Sequence, residues 1–323
     1  MASRLTVSLL LLILFGNMAV LWIPVPTHTA LWKAFNNFCH VPLFGGMAII
    51  LLYLARQLGE PRGWSVGSHY GMAFIGAVLL GVVSEGLQLL SSSRYGEWSD
   101  LLLDVLGSVC ALGLYATYDR NLTGSLAGWR QAPRKYMVHA GVGLLVVVAL
   151  SPVLTWAYAY WDRAARFPSL CQFSSAWEMM FVRGTNSELQ IVPPPIGWKK
   201  SRVDTVGHVV FHPKKYPGIR VDEPYPDWRG FEEFSLEVYS ELSGPQELSI
   251  RIDDAHHNQE HADRFNRGVI IKPGLNHIQI PLEEIRQAPV GREMDLAAIK
   301  TLILFAVNPP EEFSLYIDNL RLE

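Results

Sequence analysis

The chain has 323 residues, 50% hydrophobic and 18% charged, with a formal net charge of −3. That balance speaks against a nucleic-acid binder, which would carry a basic face. Residues 1–165 hold 10 Lys/Arg and 7 Asp/Glu, whereas 166–323 hold 17 and 23, so one chain contains two environments and a single soluble globule is excluded.

Crossing about 30 Å of hydrocarbon takes roughly 20 apolar residues in a helix. Five stretches qualify, and the expected spans are 5–23, 37–55, 70–90, 101–118 and 137–158. The first competes with a secretory signal, since it follows Arg4. The nearest small-residue cleavage pattern, THTA at 27–30, lies beyond two prolines, so an uncleaved span is expected. Basic residues in short loops set orientation. With the N-terminus inside, the cytoplasmic segments hold Arg4, Arg56, Arg62, Arg120, Arg130, Arg134 and Lys135, and the opposite loops hold Lys33 and Arg94. The N-terminus is therefore expected in the cytoplasm, and everything after the fifth span outside it.

Ionisable side chains within spans are costly and mark functional sites by default. Glu85 and Gln88 are three apart on one helical face near the outer end of the third span. Asp100 and Asp104 open the fourth span four apart, Arg94 sits in the short loop between, and His40 opens the second span. All six converge on one leaflet. An ion-pair network that only pins a helical hairpin is the structural alternative, because buried charges need partners.

The stretch GVVSEGLQLLSSSRYGEWSDLLLDVLGSVCALG, residues 81–113, resembles the signature of the VanZ-like membrane family. Glu85, Gln88, Arg94, Asp100 and Gly107 stand at the pattern's positions. Upstream, NNFCHVPLF supplies His40 and Phe44, with Asn36 and Asn37 where the family has Asp-Lys, and Asp104 replaces an Asn. The resemblance implies a bacterial envelope role, with glycopeptide resistance or exopolysaccharide as the associated processes, and no defined reaction.

After a stalk expected over 159–185, short alternating runs at 234–240, 248–252, 268–272, 277–282, 301–307 and 313–322 predict an antiparallel sandwich over 186–323. Leu282–Arg286 and Asp295–Lys300 are expected as short helices. The order DWRGFEEFSLEVYS, LSIRIDD, Arg264-Phe265, KPGLNHIQIPLEEI and YIDNLRL resembles carbohydrate-binding modules of the galactose-binding-like, jelly-roll type. Such modules stack sugars on aromatics, which makes Trp198, Tyr216, Tyr225 and Trp228 candidates, each equally suited to core packing. His257, Glu260 and His261 read as H-x-x-E-H, a zinc-protease pattern, but it falls between strands and is expected as a loop. No cofactor is expected. Asp318 is a candidate ligand for a structural Ca²⁺. Of Cys39, Cys110 and Cys171, only the first and last share an oxidising compartment.

The expected fold is a multi-domain chain: an all-α transmembrane bundle of five spans, residues 1–158, followed by an all-β jelly-roll sandwich. The leading expectation is a multi-pass protein of the bacterial cytoplasmic membrane that handles a lipid-linked or surface glycan at the outer leaflet. Glu85, Asp100 and His40 are the candidate catalytic groups, and Gln88, Arg94 and Asp104 the substrate-binding ones. Arg94 would fork onto a phosphate. Glu85 would accept a proton, assisted by His40, imidazole being the side chain whose ordinary pKa lies near neutrality. The partners are thus lipid, carbohydrate and membrane, with no nucleic acid. The alternative is a non-enzymatic anchored binding or scaffold protein. A transporter fits less well, since its polar path would cross the bilayer.

Overall fold

The computed structural model describes residues 4–20, 29–89, 98–125, 132–198 and 205–323, which form two compact units divided between Ala157 and Tyr158. The first unit is helical: α1 (Arg4–Val20), α2 (Ala30–Gly59), α3 (Val66–Leu89), α4 (Trp98–Tyr118), α5 (Arg120–Ser125) and α6 (Ala132–Arg166), whose residues from Tyr158 on belong to the second unit. Thr29 starts α2 by accepting a hydrogen bond from the Trp32 amide at 3.2 Å, which satisfies one of the four free amides of a helix start. Among the described residues, four helical stretches are long and apolar enough to cross a membrane: Ala30–Arg62, Val66–Leu87, Trp98–Tyr118 and Pro133–Arg166. At 1.5 Å per residue, the 21 residues of α4 reach about 32 Å. The fifth expected span, 5–23, is described only as the 17-residue α1, and residues 21–23 lie outside the described residues.

Inside this unit α2, α3 and α4 pack through small side chains. Ala48, Ala73 and Ala77 are buried with Leu52 and Leu112, and Phe44 and Met47 are buried with Leu14 of α1. Small residues let helices approach where no water drives them together. The outward faces stay apolar, with Leu79, Val82 and Val83 of α3 and Leu144, Val147, Val148 and Leu154 of α6 exposed. Patches of this extent mark an apolar environment or partner.

The second unit is a two-sheet antiparallel sandwich. Its strands are β1 (Ser169–Cys171), β2 (Val182–Thr185), β3 (Ser187–Val192), β4 (Val206–Phe211), β5 (Gly218–Asp222), β6 (Glu233–Ser240), β7 (Gln246–Asp254), β8 (Phe265–Ile271), β9 (Gly274–Pro281), β10 (Ile299–Phe305) and β11 (Phe313–Leu322). One sheet runs β3-β4-β11-β6-β9, with β1 also on β11, and the other β2-β5-β10-β7-β8. Alternation fills the space between them with Phe211, Trp228, Phe234, Leu236, Ile250, Ile252, Leu302 and Ile317, all at most 2% exposed. Two short helices, α7 (Ala176–Met179) and α8 (Leu282–Arg286), sit in connections.

Two expectations are corrected. The segment 159–185 is no free stalk: β1 pairs with β11 and β2 with β5, because Leu170, Cys171, Phe173 and Val182 belong to the core. Nor is Asp295–Lys300 helical. The Leu296 carbonyl accepts from Trp228 N at 2.7 Å and Ile299 N donates to the Pro226 carbonyl at 2.9 Å, so the backbone is drawn sideways and Ile299 opens β10.

Candidate functional site

In the helical unit, three helices bring the expected polar residues together. His40 lies on α2, Glu85 on α3, and Asp100 and Asp104 on α4. The His40 imidazole Nδ1 is 2.7 Å from Asp104 Oδ1, with both side chains buried. His40 also stacks on Phe44, one turn on, at 6.2 Å between ring centroids. Asp100 and Glu85 lie close enough for their charges to act on the same imidazole. Gly81 makes room on α3, since a Cβ there would stand 2.8 Å from Asp104 Oδ2. That oxygen is buried and has no hydrogen-bond partner among the described residues. Gln88 lies on α3, but its side chain and the whole of Arg94 are outside the described residues.

A second cluster escaped the sequence reading. At the other end of α2, Arg56 forms an ion pair with Asp119, and Tyr70 of α3 donates to Asp119 Oδ2 at 2.8 Å. The Arg56 guanidinium stands 5.7 Å from the Tyr70 ring centroid and 5.4 Å from that of Tyr115. Sixteen residues of helix separate it from His40, about 24 Å. Its sequence signal was slight: three polar residues, each just at the edge of an apolar run.

The sandwich carries a groove of about 670 Å³ on the outer face of the sheet that contains β10. Cross-strand register builds its floor. One row reads Asn266, Arg251, Ile303, Arg220, Arg183 across β8, β7, β10, β5 and β2, and the next reads Gly268, Ser249, Phe305, Gly218, Thr185. Ser249 and Gly218 flank Phe305 on that row, and Tyr216 meets its ring edge-on at 5.7 Å. Tyr216 is 48% exposed and holds φ of 52°, a left-handed conformation uncommon outside glycine. Arg220 bonds Asp222, and Arg251 bonds Asp253 at 2.9 Å. Burial and the neighbouring Arg251 charge push the Arg264 guanidinium below its ordinary value.

The other aromatic candidates fall elsewhere. Trp228 and Trp198 are buried, at 0% and 3% exposed, and Tyr225 stacks on Phe167 at 4.0 Å. The His257–His261 segment is a loop with one 3-10 turn at His261–Asp263. His257 turns inward to the Asp263 carbonyl at 2.9 Å, so the two histidines do not share a helix face. Asp318 is buried on β11, paired in register with Glu237. Among the described residues no group of three or more His, Cys, Asp or Glu is placed to hold a metal ion. All three cysteines are free, and burial pushes the Cys171 thiol up.

No protein-family model matches the chain, and no curated protein does. Solved structures match over part of it. One is an exo-β-agarase, 12% identical, with 48% of this chain and 25% of that one covered and a TM-score of 0.37. Another is the family 11 carbohydrate-binding module from Clostridium thermocellum in complex with a β-1,3-1,4-mixed-linked tetrasaccharide, 17% identical, covering 44% and 86% at 0.34. A third is the family 11 module of the cellulosomal cellulase Lic26A-Cel5E of Clostridium thermocellum, 16% identical, covering 48% and 92% at 0.36. The chain thus spans a quarter of the agarase's length and most of each module's.

Proposed function

We propose that this chain is a multi-pass protein of the bacterial cell envelope that handles a lipid-linked or surface glycan. Its sandwich holds the saccharide in the groove, and its intramembrane cluster engages the polar head of the lipid. The groove carries this reading. It is concave, it has an aromatic floor in Tyr216 and Phe305, and polar side chains converge on that floor, as small-ligand sites require. Aromatic faces suit the apolar side of a sugar ring, and the polar rim suits its hydroxyls. The N-terminus lies in the cytoplasm and the sandwich outside, following the bias of basic residues in the short loops.

A second reading has one observation in its favour. The 2.7 Å bond between His40 and Asp104 joins α2 to α4, which is what a purely structural cluster does. The protein would then be a non-enzymatic anchored binding module. Native mass spectrometry of the gently purified full chain separates the two. Glu85→Gln keeps size and removes a charge, so the head-group reading expects an unchanged melting temperature and the loss of a co-purifying lipid adduct. A lowered melting temperature with the adduct retained would assign the cluster to structure alone. If Tyr216→Ala, correctly folded, still binds oligosaccharides as the parent does, the groove assignment fails.

A further inference from the structure

The groove's chemistry is one-sided. Four arginines (Arg220, Arg251, Arg264 and Arg267) and His261 line it, and no carboxylate does among the described residues. Guanidinium groups offer five donors and no acceptor. A neutral sugar hydroxyl both donates and accepts, so a lining made for neutral saccharides would balance the two. Here the hydroxyls of Thr185, Tyr216 and Ser249 and the Asn266 amide are the uncharged side-chain hydrogen-bonding groups, no carboxylate among the described residues joins them, and the four guanidiniums tip the lining toward donors.

Three of the arginines are already engaged. Asp222 serves Arg220 together with Arg183, Asp253 serves Arg251, and Glu284 serves Arg267. Arg264 has no ion-pair or hydrogen-bond partner among the described residues, the Asp253 carboxylate acting on it only from further off, and its Nε is buried. Two residues on, the Asn266 side-chain nitrogen is likewise buried without an acceptor. The backbone at Arg264 is extended (φ −154°, ψ 163°), so residues 264 and 266 face the same way, and Asn266 lies directly across from Arg251. Buried donors left without acceptors are costly, and here two of them belong to side chains that line one cavity. Counting Arg183, Arg220, Arg251 and Arg264 against Asp222 and Asp253 leaves two uncompensated positive charges.

We propose that the groove takes an acidic saccharide, whose carboxylate or sulfate is held by Arg264 and Asn266 while a neighbouring ring lies on Tyr216 and Phe305. This deepens the glycan reading and rests on it. The aromatic floor selects a ring-bearing ligand over a bare anion. The guanidinium fork at Arg264 selects a planar two-oxygen acceptor, which a carboxylate presents directly and a sulfate can also offer.

The test uses the full chain in detergent and three oligosaccharides of equal length: a neutral glucan, an oligogalacturonate and a sulfated galactan. Inorganic polyphosphate serves as a polyanion without rings. Calorimetry is expected to give at least tenfold tighter binding for an acidic sugar than for the neutral one. The arm that binds tighter, uronate or sulfate, names the anionic group. Arg264→Gln should erase that advantage, and Tyr216→Ala should weaken every sugar. Equal melting temperatures establish that both variants are folded, and Arg264→Lys, which keeps the charge without the fork, provides a second variant. Equal affinity for neutral and acidic sugars would overturn this inference and leave the glycan reading standing. Polyphosphate matching the acidic sugar would overturn it too, reducing the site to a general anion patch. Failure of every saccharide to bind would overturn the glycan reading itself.

Discussion

Arg292→Ala is expected to destabilise the sandwich by about 3 kcal/mol, the lower end of the range for breaking a buried ion pair, since Arg292 itself keeps some contact with water. Asp254 at the end of β7 has a side chain that is 0% exposed. It survives there because Arg292 grips it with both terminal nitrogens, Nη2 to Oδ1 at 2.9 Å and Nη1 to Oδ2 at 2.5 Å. The amides of Asp295 and His256 add 2.8 Å and 3.1 Å bonds. The Arg292 Nε reaches Asp263 as well, so one side chain ties β7 to the loop before β8. Alanine leaves a buried carboxylate with two amide donors and no cation.

The same cluster sets an acid limit. Burial works to raise the Asp254 carboxyl, but the bonds from Arg292 and Asp295 outweigh it and hold it below the ordinary range. Asp263, bonded by Arg292 and the Asn258 amide, is brought down to about 2. Depressed carboxylates stabilise the fold fully above their unfolded values, near 4. That contribution is lost as pH falls through the folded values. The parent should therefore lose protection between about pH 4 and 2. In Arg292→Ala the deficit should be largest at neutral pH and shrink on acidification, because protonation removes the uncompensated charge. Hydrogen exchange of β7 and β8 peptides in the full chain measures both. Identical exchange in parent and variant at neutral pH would show that Arg292 does not anchor this corner.

Much of the architecture is legible locally, because hydrophobic length and alternation are properties of single segments. The runs at 234–240 and 313–322 fall within β6 and β11, and Leu282–Arg286 is helical as expected. The meeting of His40 with Asp104 follows from apolar segments whose polar residues fall at matching depths. What was not legible depends on register between distant strands. Arg183, Arg220, Arg251 and Asn266 come from four strands, and only pairing through β10 sets them on one row, with Arg251 and Arg220 directly beside Ile303. Aromatic candidates misled for a related reason. Trp228 looks like a loop residue, yet its indole nitrogen finds the Tyr225 carbonyl at 2.8 Å and so can be buried completely. The β1 and β2 strands were missed because three or four residues are too few to display a period.

Gly107→Ala is expected to lower the stability of the helical unit by about 2–3 kcal/mol, the cost of overpacking a contact that cannot relax. A Cβ at 107 would lie 2.2 Å from the Val41 carbonyl oxygen and 2.9 Å from its Cα. These are backbone atoms, so no rotamer change relieves the clash, and α4 must move away from α2. On the facing helix a Cβ at Gly45 would come within 3.2 Å of the Gly107 carbonyl, so the contact is glycine against glycine, as small-residue helix interfaces are built. Val41 follows His40, and Gly107 lies one turn after Asp104. Separation of the helices there stretches the 2.7 Å His40–Asp104 bond toward the limit of a hydrogen bond. One added methyl group thus attacks packing and polar cluster together. Gly46→Ala is the control, because its Cβ would meet nothing within 4 Å, and no loss is expected. Thermal unfolding of the full chain in one detergent compares the two. A melting temperature for Gly107→Ala equal to that of Gly46→Ala would mean that α2 and α4 stand further apart than this contact requires, and the tight seat of His40 against Asp104 would fall with it.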